Sequence, residues 1–287
     1  MSQNSRVLVV GATGNVGSSL IAHLLQRADA PQVVAATRNP NSTQLPTGVQ
    51  AVAFDASNPS TWTAALQGIS HLFLMSPPGH ADAYGLLAPF LNQALPQLKR
   101  VVLMTAAGVE YDDSIPLRRL ELLIEASGVE FGVLRPSWFM QNFRTFWWAG
   151  ILATGNVLVP AADSRTAFVD ADDIGAIGAA LLLAETAPNR AFTITGPESL
   201  TYAEAADILT RETGRPIGYA SISDADFHQA LLGAGLPPDY AGMLVGMFGV
   251  VRMGAAAAIS PDVESVLGRP ATSLATYARR DASLYAD

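Results

Sequence analysis

The first half of the chain alternates short, uniformly apolar runs with longer stretches that have helical periodicity. The apolar runs predict strands at Val7–Val10, Gln32–Thr37, Ala51–Phe54, His71–Met75, Val101–Thr105 and Phe131–Arg135. The periodic stretches predict helices at Asn15–Arg27, Pro59–Leu66, Ala81–Leu98 and Leu117–Ser127. Strands without alternating polar positions are typical of a sheet buried on both faces. The pattern therefore predicts an α/β fold in which helices cover both sides of a doubly wound parallel sheet.

After Arg135 the alternation becomes less regular. Short strands are predicted at Val157–Val159, Ala167–Val169 and Phe192–Thr195. Helices are predicted at Asp170–Glu185, at Thr201–Thr213, from Ser223 onward, at Pro237–Met253 and at Ser273–Tyr285. Thr201 and Glu204 have the spacing of a capping box, and Asp170, Asp172 and Asp173 are interpreted as capping residues. We expect a domain over residues 1–153 and a smaller, mostly helical region over residues 154–287, intertwined with it across a soft boundary.

Composition narrows the classes of function. The chain has 287 residues, 49% hydrophobic and 15% charged, so it can bury a large core. Its formal net charge of −8 argues against a nucleic-acid partner, which requires a basic face. The absence of cysteine excludes thiol nucleophiles, disulfides and thiolate metal sites. The histidines lack ligand spacing, so no metal site is predicted.

The segment most similar to a membrane span is Ala241–Ile259, but Arg252 and several glycines interrupt it. We expect a buried helix there and no membrane contact. The polar start Met1–Ser5 does not have the pattern of a secretory leader, so a cytoplasmic protein is expected. The sequence leaves open whether this segment forms a lid over a pocket or a homodimer contact.

The strongest chemical signal is a glycine-rich segment between the first strand and the first helix. It consists of Gly11, Ala12, Thr13, Gly14, Asn15, Val16 and Gly17. Gly11 permits a tight turn, Gly14 lets the backbone approach a pyrophosphate, and Gly17 lets helix and strand pack closely. The start of the helix then offers N–H groups and a positive dipole end to phosphates. This context predicts a Rossmann-type dinucleotide site that binds the cofactor through residues 11–17.

The end of the second strand predicts which dinucleotide binds. An acidic residue there would accept from the ribose 2′-hydroxyl of NAD, but this chain has Thr37 and Arg38, about 20 residues after Gly17. The planar guanidinium of Arg38 suits a 2′-phosphate, so NADP(H) is preferred over NAD(H). Asp55, after the third strand, is a candidate acceptor for the adenine amino group.

Several motifs together resemble the NmrA-like branch of the atypical short-chain dehydrogenases/reductases. They are Gly11–Gly17, Leu134–Asn142, Phe168–Ile174, Thr195–Glu204 and Val266–Pro270, so the resemblance covers nearly the whole chain. That branch includes NADPH-dependent quinone, azo and triphenylmethane-dye reductases, ergot-alkaloid reductases, and non-catalytic redox-sensing regulators. The resemblance implies that further cofactor contacts lie at the ends of the fourth, fifth and sixth strands. These positions are Met75, Ser76, Thr105, Ala106, Pro136, Trp138 and Phe139.

The chain departs from the usual catalytic pattern of short-chain dehydrogenases. Aligned on that pattern, Leu117 stands in place of the tyrosine, Glu121 in place of the lysine and Ala106 in place of the serine. The only lysine, Lys99, is not part of any Tyr-x-x-x-Lys. Dehydrogenation of an alcohol by the usual acid–base route is therefore not expected, and the sequence identifies no catalytic residue.

An aromatic cluster between Trp138 and Trp148 favours a flat substrate, because aromatic walls stack on planar rings. Trp138, Phe143 and Trp147 are the predicted pocket residues, although core packing of a helix is an alternative for each of them. Tyr111 is a further pocket candidate whose hydroxyl could supply a proton.

The sequence therefore predicts an NADPH-dependent reductase of a flat, electron-poor small molecule: a quinone, an iminium, a dye or an activated alkene. Hydride transfer to such an acceptor requires orientation more than acid catalysis. The alternative is a non-catalytic NADP(H)-sensing regulator with a protein partner, since the usual catalytic residues are missing. An isomerase or epimerase that uses bound cofactor is disfavoured by the missing tyrosine and lysine.

Overall fold

A computed structural model describes residues 5–41 and 43–285. The chain forms two compact units, one of Met1–Arg135 with Ile174–Thr193 and one of Pro136–Asp173 with Ile194–Asp287. The chain thus leaves the first unit before the expected boundary at residue 153 and returns to it for one helix and one strand.

The strands and helices have the following bounds. The strands are β1 (Arg6–Val10), β2 (Gln32–Thr37), β3 (Gln50–Ala53), β4 (His71–Met75), β5 (Arg100–Met104), β6 (Glu130–Pro136), β7 (Asn156–Val159), β8 (Arg165–Thr166), β9 (Arg190–Ile194), β10 (Leu200–Thr201) and β11 (Gly218–Ser221). The helices are α1 (Asn15–Leu25), α2 (Trp62–Ala65), α3 (Ala83–Ala94), α4 (Pro116–Glu125), α5 (Trp148–Thr154), α6 (Ala171–Leu182), α7 (Tyr202–Thr213), α8 (Asp224–Gly233), α9 (Pro238–Arg252), α10 (Asp262–Leu267) and α11 (Leu274–Arg280).

The first unit is built on a seven-stranded sheet with the order β3-β2-β1-β4-β5-β6-β9. Every pairing from β3 through β6 is parallel, and β1 places Val9 beside both Ala35 and Phe73. The side chains of Val7, Leu8 and Val9 are fully buried, as the uniform apolar run predicted. The strand order reverses between β1 and β4, where open α/β sheets bind ligands at the carboxyl ends of the strands. The predicted α/β fold is confirmed.

Helix α6 packs against α1 at a distance that only glycine allows. A Cβ atom added at Gly175 would lie 2.7 Å from the backbone nitrogen of Leu20, and one added at Gly178 would lie 2.7 Å from Cδ1 of Leu20. No local sequence pattern predicts this contact. It explains why α6, which comes late in the chain, belongs to the first unit.

The second unit contains two small sheets, parallel β7–β11 and antiparallel β8–β10, together with helices α5 and α7–α11. The capping box of α7 is confirmed, because the Glu204 amide donates to Thr201 Oγ1 at 3.1 Å and the Thr201 amide to Glu204 Oε2 at 2.9 Å. Asp170 accepts the amide of Asp172, as a capping residue does. Asp170 and Asp173 are also fully buried and paired with Arg280 and Arg269.

Several predicted bounds were wrong for local reasons. The helix predicted to reach Leu98 ends at Ala94 and continues as a 3-10 turn over Leu95–Gln97, because Pro96 has no amide hydrogen to donate to the carbonyl group one helical turn earlier. The strand predicted at Ala167–Val169 lies at Arg165–Thr166, and Val169 makes only an isolated bridge with Phe139. Helices α5 and α10 and strands β10 and β11 were not predicted. No helix among the described residues is long and apolar enough to cross a membrane.

Candidate functional site

The glycine loop has the geometry of a phosphate cradle. Gly11 has φ +78°, and a Cβ atom there would lie 2.7 Å from Met75 Sδ. A Cβ atom on Gly17 would lie 2.1 Å from the carbonyl oxygen of Gly11, so helix α1 meets the end of β1 at backbone contact. The Gly14 amide donates to the Gly11 carbonyl at 3.0 Å, which closes the turn. These contacts agree with the roles that the spacing predicted for Gly11 and Gly17.

The start of α1 is suited to an anion. The helix begins at Asn15 after Gly14, and among the described side chains none caps it and none in its first turn is acidic. Ser18 directs its hydroxyl back to the Gly14 carbonyl at 2.8 Å. The amides of the first turn are therefore free to bind phosphate oxygens beside the positive end of the helix dipole.

The ends of β2 and β3 bring a cation close to a carboxylate. Asp55 accepts from the amide of Ser57 at 2.8 Å and from its hydroxyl at 2.6 Å. These hydrogen bonds, followed by the positive charge of Arg38, hold the pKa of the Asp55 carboxyl below its usual value. Trp62 Nε1 anchors the same turn through the Asp55 carbonyl at 2.9 Å. Arg38 itself is exposed at the end of β2, next to the partly buried Thr37.

The predicted residues after β4 lie at the same carboxyl edge of the sheet. Met75 ends β4 and packs beneath the Gly11 turn, while Ser76 follows it with a long 3.4 Å hydrogen bond to the Pro77 carbonyl. Gly11, Thr37 and Met75 thus end three neighbouring strands, as a dinucleotide site at a switch point requires.

A buried carboxylate lies at the ends of β5 and β6. It was not among the predicted site residues. Glu121, on α4, has no exposed side-chain surface. Its Oε1 accepts from Thr105 Oγ1 at 2.7 Å and from Arg135 Nε at 3.0 Å, and its Oε2 accepts from Arg135 Nη2 at 2.6 Å and Arg118 Nη1 at 2.8 Å. Burial raises the pKa of the Glu121 carboxyl, but the hydrogen bonds from Arg135, Thr105 and Arg118 outweigh it and the net shift is downward. The carboxylate is therefore ionised and fully hydrogen-bonded at neutral pH.

The positions of the usual acid–base residues hold side chains of a different kind. Leu117 packs partly buried against the core of the first unit. Ala106 follows Thr105 after β5 and carries no hydroxyl group. Glu121 engages the three side chains just described. No group of the described residues at these positions can protonate a carbonyl oxygen.

In the second unit the predicted aromatic residues form a continuous cluster. Trp138 lies 4.7 Å from Phe248 and 6.1 Å from Trp147, measured between ring centroids. Phe143 lies 4.8 Å from Trp147. Phe143 is fully buried and Trp147 is 4% exposed, so both pack as core residues in this structure, whereas Trp138 is only partly buried.

The remaining candidates are distributed between the two units. Pro136 ends β6, and Phe139 bridges to Val169 within the second unit. Tyr111, in the first unit, is 84% exposed. Among the described residues no group of histidines and carboxylates is arranged to hold a metal ion.

A sheet with this strand order and this glycine loop defines a dinucleotide-binding fold of the Rossmann type. The family model described as NAD(P)H-binding matches residues 11–147, and the model described as NmrA-like family matches residues 118–281. The chain belongs to the NmrA-like family and is an NAD(P)H-dependent oxidoreductase.

Curated relatives match along almost their whole length. An NAD(P)H azoreductase of Xenophilus azovorans is 29% identical over 97% of this chain and 99% of its own. Festuclavine dehydrogenase of Aspergillus fumigatus is 33% identical over 96% of this chain and 97% of its own. Among solved structures, the NADPH-dependent quinone oxidoreductase QOR2 of Escherichia coli, complexed with NADPH, is 25% identical, covers 96% of this chain and 99% of its own, and superposes with a TM-score of 0.80.

Proposed function

We propose that the protein is an NADPH-dependent reductase that transfers hydride to a flat, electron-poor acceptor such as a quinone, an iminium, a cationic dye or an activated alkene. The observation that carries this proposal is the set Leu117, Glu121 and Ala106 at the positions of the usual catalytic residues. Without a positioned acid, efficient reduction requires an acceptor that is already electrophilic. The relatives named for azo, clavine and quinone chemistry support the same class of acceptor.

The residues of the glycine loop fit the cofactor. The uncapped amides of α1 bind the pyrophosphate, Arg38 binds the 2′-phosphate that distinguishes NADPH from NADH, and Asp55 accepts from the adenine amino group. When bound, NADPH supplies the hydride. Thr105 and Ala106 would lie beside the nicotinamide, and Trp138 is the residue that we propose to stack on the acceptor.

The balance of the reaction is simple for a quinone acceptor. Bound NADPH would supply a hydride and the solvent side one proton, which together convert the quinone to the hydroquinone and leave NADP⁺ as the second product. Because none of the side chains at positions 106, 117 and 121 can donate the proton, we assign it to water or to an exposed hydroxyl such as that of Tyr111.

The test is NADPH oxidation, followed by absorbance, against a quinone, a cyclic iminium, a triphenylmethane dye and an enone, each repeated with NADH. We expect turnover with at least one acceptor and a higher kcat/KM with NADPH. Trp138→Ala should lower kcat/KM for the acceptor by about tenfold or more, a larger loss than the one it causes in NADPH binding. The matched control is Trp148→Ala, at a tryptophan that Arg144 and Arg215 cover within the second unit.

The burial of Phe143 and Trp147 favours a second candidate, a dinucleotide sensor that binds NADPH and a protein partner without turnover. A sensor needs no acceptor pocket, and it can use these rings as core. Saturable NADPH binding without turnover on any acceptor would support the sensor and contradict the reductase.

A further inference from the structure

The Glu121 carboxylate connects three elements of the first unit. It lies on α4. Its hydrogen bonds reach Thr105, which directly follows β5, and Arg135, the second-to-last residue of β6. Arg118, one turn earlier on α4, bonds the second oxygen and is itself held by Asp113 and Glu125. A charge at 0% exposure is stable only when its oxygens are satisfied in this way, so the four hydrogen bonds fix the two strand ends relative to the helix.

The hydrogen bond from Thr105 to Glu121 determines whether the Thr105 hydroxyl can act as a donor or as an acceptor toward a ligand. The Thr105 hydroxyl donates to Glu121 Oε1 at 2.7 Å, the much shorter of its two contacts, since the Leu134 carbonyl oxygen lies at 3.4 Å. The Thr105 amide donates to that carbonyl at 2.8 Å. A threonine hydroxyl has one proton, so the remaining capacity of this oxygen is that of an acceptor. Donation to an ionised carboxylate also polarises the oxygen and strengthens it as an acceptor.

The position of Thr105 identifies the part of the ligand that would use this acceptor. In a doubly wound sheet each half binds one nucleotide of the dinucleotide, and β1–β3 carry the glycine loop, Arg38 and Asp55. Strands β4–β6 form the other half, which faces the nicotinamide mononucleotide. That portion presents N–H and O–H donors, on its amide and its ribose.

We propose that Glu121 is a positioning residue for the nicotinamide half of the cofactor. It holds the Thr105 oxygen as a fixed acceptor for a donor of that half, and through Arg135 it holds the end of β6, where the Pro136–Phe139 segment begins. The proposal rests on the proposed binding of NADPH. In place of the lysine of conventional enzymes, this chain thus has an anion that orders its neighbours and does not touch the cofactor itself.

The test compares two ligands by isothermal titration: NADPH and adenosine 2′,5′-bisphosphate, which lacks the nicotinamide half. We expect Thr105→Val and Glu121→Gln each to weaken NADPH binding by about tenfold and to leave binding of the bisphosphate within about twofold. Thr105→Ser keeps the hydroxyl and should restore NADPH binding. Glu125→Gln is the matched control, because Glu125 lies one turn further on α4 and also bonds Arg118, at 2.9 Å, but is more exposed.

The outcomes separate this inference from the function on which it rests. If the wild type binds neither ligand, the proposed NADPH site is wrong. If the wild type binds both and the variants bind NADPH normally, or lose both ligands equally, Glu121 is only structural and the inference is wrong. If Glu121→Gln fails to fold, Thr105→Val decides the question, since it leaves the carboxylate with both arginines.

Discussion

Arg280 and Asp170 are 110 positions apart in the sequence, yet Arg280 Nη1 donates to Asp170 Oδ2 at 2.8 Å. Asp170 has no exposed surface, and Gln141 Nε2 bonds its other oxygen at 2.7 Å. The pair connects the last residue of α11 with the residue that precedes α6. Asp170 is the buried member of the pair, since Arg280 is 44% exposed, and removing the partner of a buried carboxylate costs more than an exposed pair contributes.

We therefore predict that Arg280→Ala lowers the free energy of unfolding by about 2–4 kcal/mol. Arg279→Ala is the matched control on the same helix, because Arg279 is 68% exposed and pairs with Glu212 at the surface. It should cost about 0–1 kcal/mol. Urea denaturation at neutral pH measures both values, and equal losses would contradict the importance of the buried pair.

Replacing Gly17 by alanine should damage the cofactor loop. The new Cβ atom would lie 2.1 Å from the Gly11 carbonyl oxygen, and backbone cannot move as a flexible side chain does. We expect loss of NADPH binding, measured by fluorescence titration, together with a lower melting temperature. Gly246→Ala is the control, because a Cβ atom at Gly246 in α9 meets nothing within 4 Å. That variant should be neutral or stabilise the protein by about 0.5–1 kcal/mol.

The choice between the two dinucleotides should depend on Arg38. We predict that Arg38→Ala weakens NADPH binding by about 10- to 100-fold and NADH binding by less than about threefold, because only NADPH carries the 2′-phosphate. The measurement is the dissociation constant of each dinucleotide at fixed salt. An equal loss of affinity for both dinucleotides would show that Arg38 stabilises the loop conformation and does not bind the 2′-phosphate. Arg27→Ala, at an arginine that bonds Asp29 at the surface beyond α1, is the control.

His71 should make the fold sensitive to mild acid. Burial, followed by the positive charges of Arg100 and Lys99, lowers the pKa of His71 from 6.5 to about 4, although Glu130 opposes the shift. Because the folded-state pKa lies below the unfolded one, the unfolded chain binds the proton first as the pH falls. Stability is therefore lost as the pH decreases from 6.5 to about 4.

We predict that His71→Gln flattens the dependence of the free energy of unfolding on pH within that window by roughly 1–3 kcal/mol. His228→Gln, on α8, supplies the histidine control. The prediction is wrong if the two variants give the same difference curve against the wild type.

The sequence predicted the parts of the fold that depend on residues close together in the chain. The uniform apolar runs at Val7–Val10 and His71–Met75 located strands within a residue or two, because burial on both faces leaves no polar position in the run. The glycine loop was predictable because Gly11 and Gly17 are required by steric contacts only six residues apart. Thr201 and Glu204 marked the start of α7 for the same local reason.

What the sequence could not predict depends on pairs that are distant along the chain. Glu121 meets Thr105 and Arg135 across 16 and 14 positions, and no periodicity marks such a cluster. The aromatic run was ambiguous, since rings that line a pocket and rings that fill a core have the same spacing. The full burial of Phe143 became visible only once Phe168, 5.2 Å away between ring centroids, was placed beside it.

The close contact between Gly175 of α6 and the backbone of α1 has a consequence for ligand binding. Helix α1 is wedged between the Gly11 carbonyl at its start and α6 along its side, so it cannot slide or tilt as a unit without steric overlap. The amides at the start of α1, which we propose to bind the phosphates, are therefore held in place before a dinucleotide arrives. Association then avoids the entropy loss of ordering a loop, and the affinity gained from each phosphate hydrogen bond is retained.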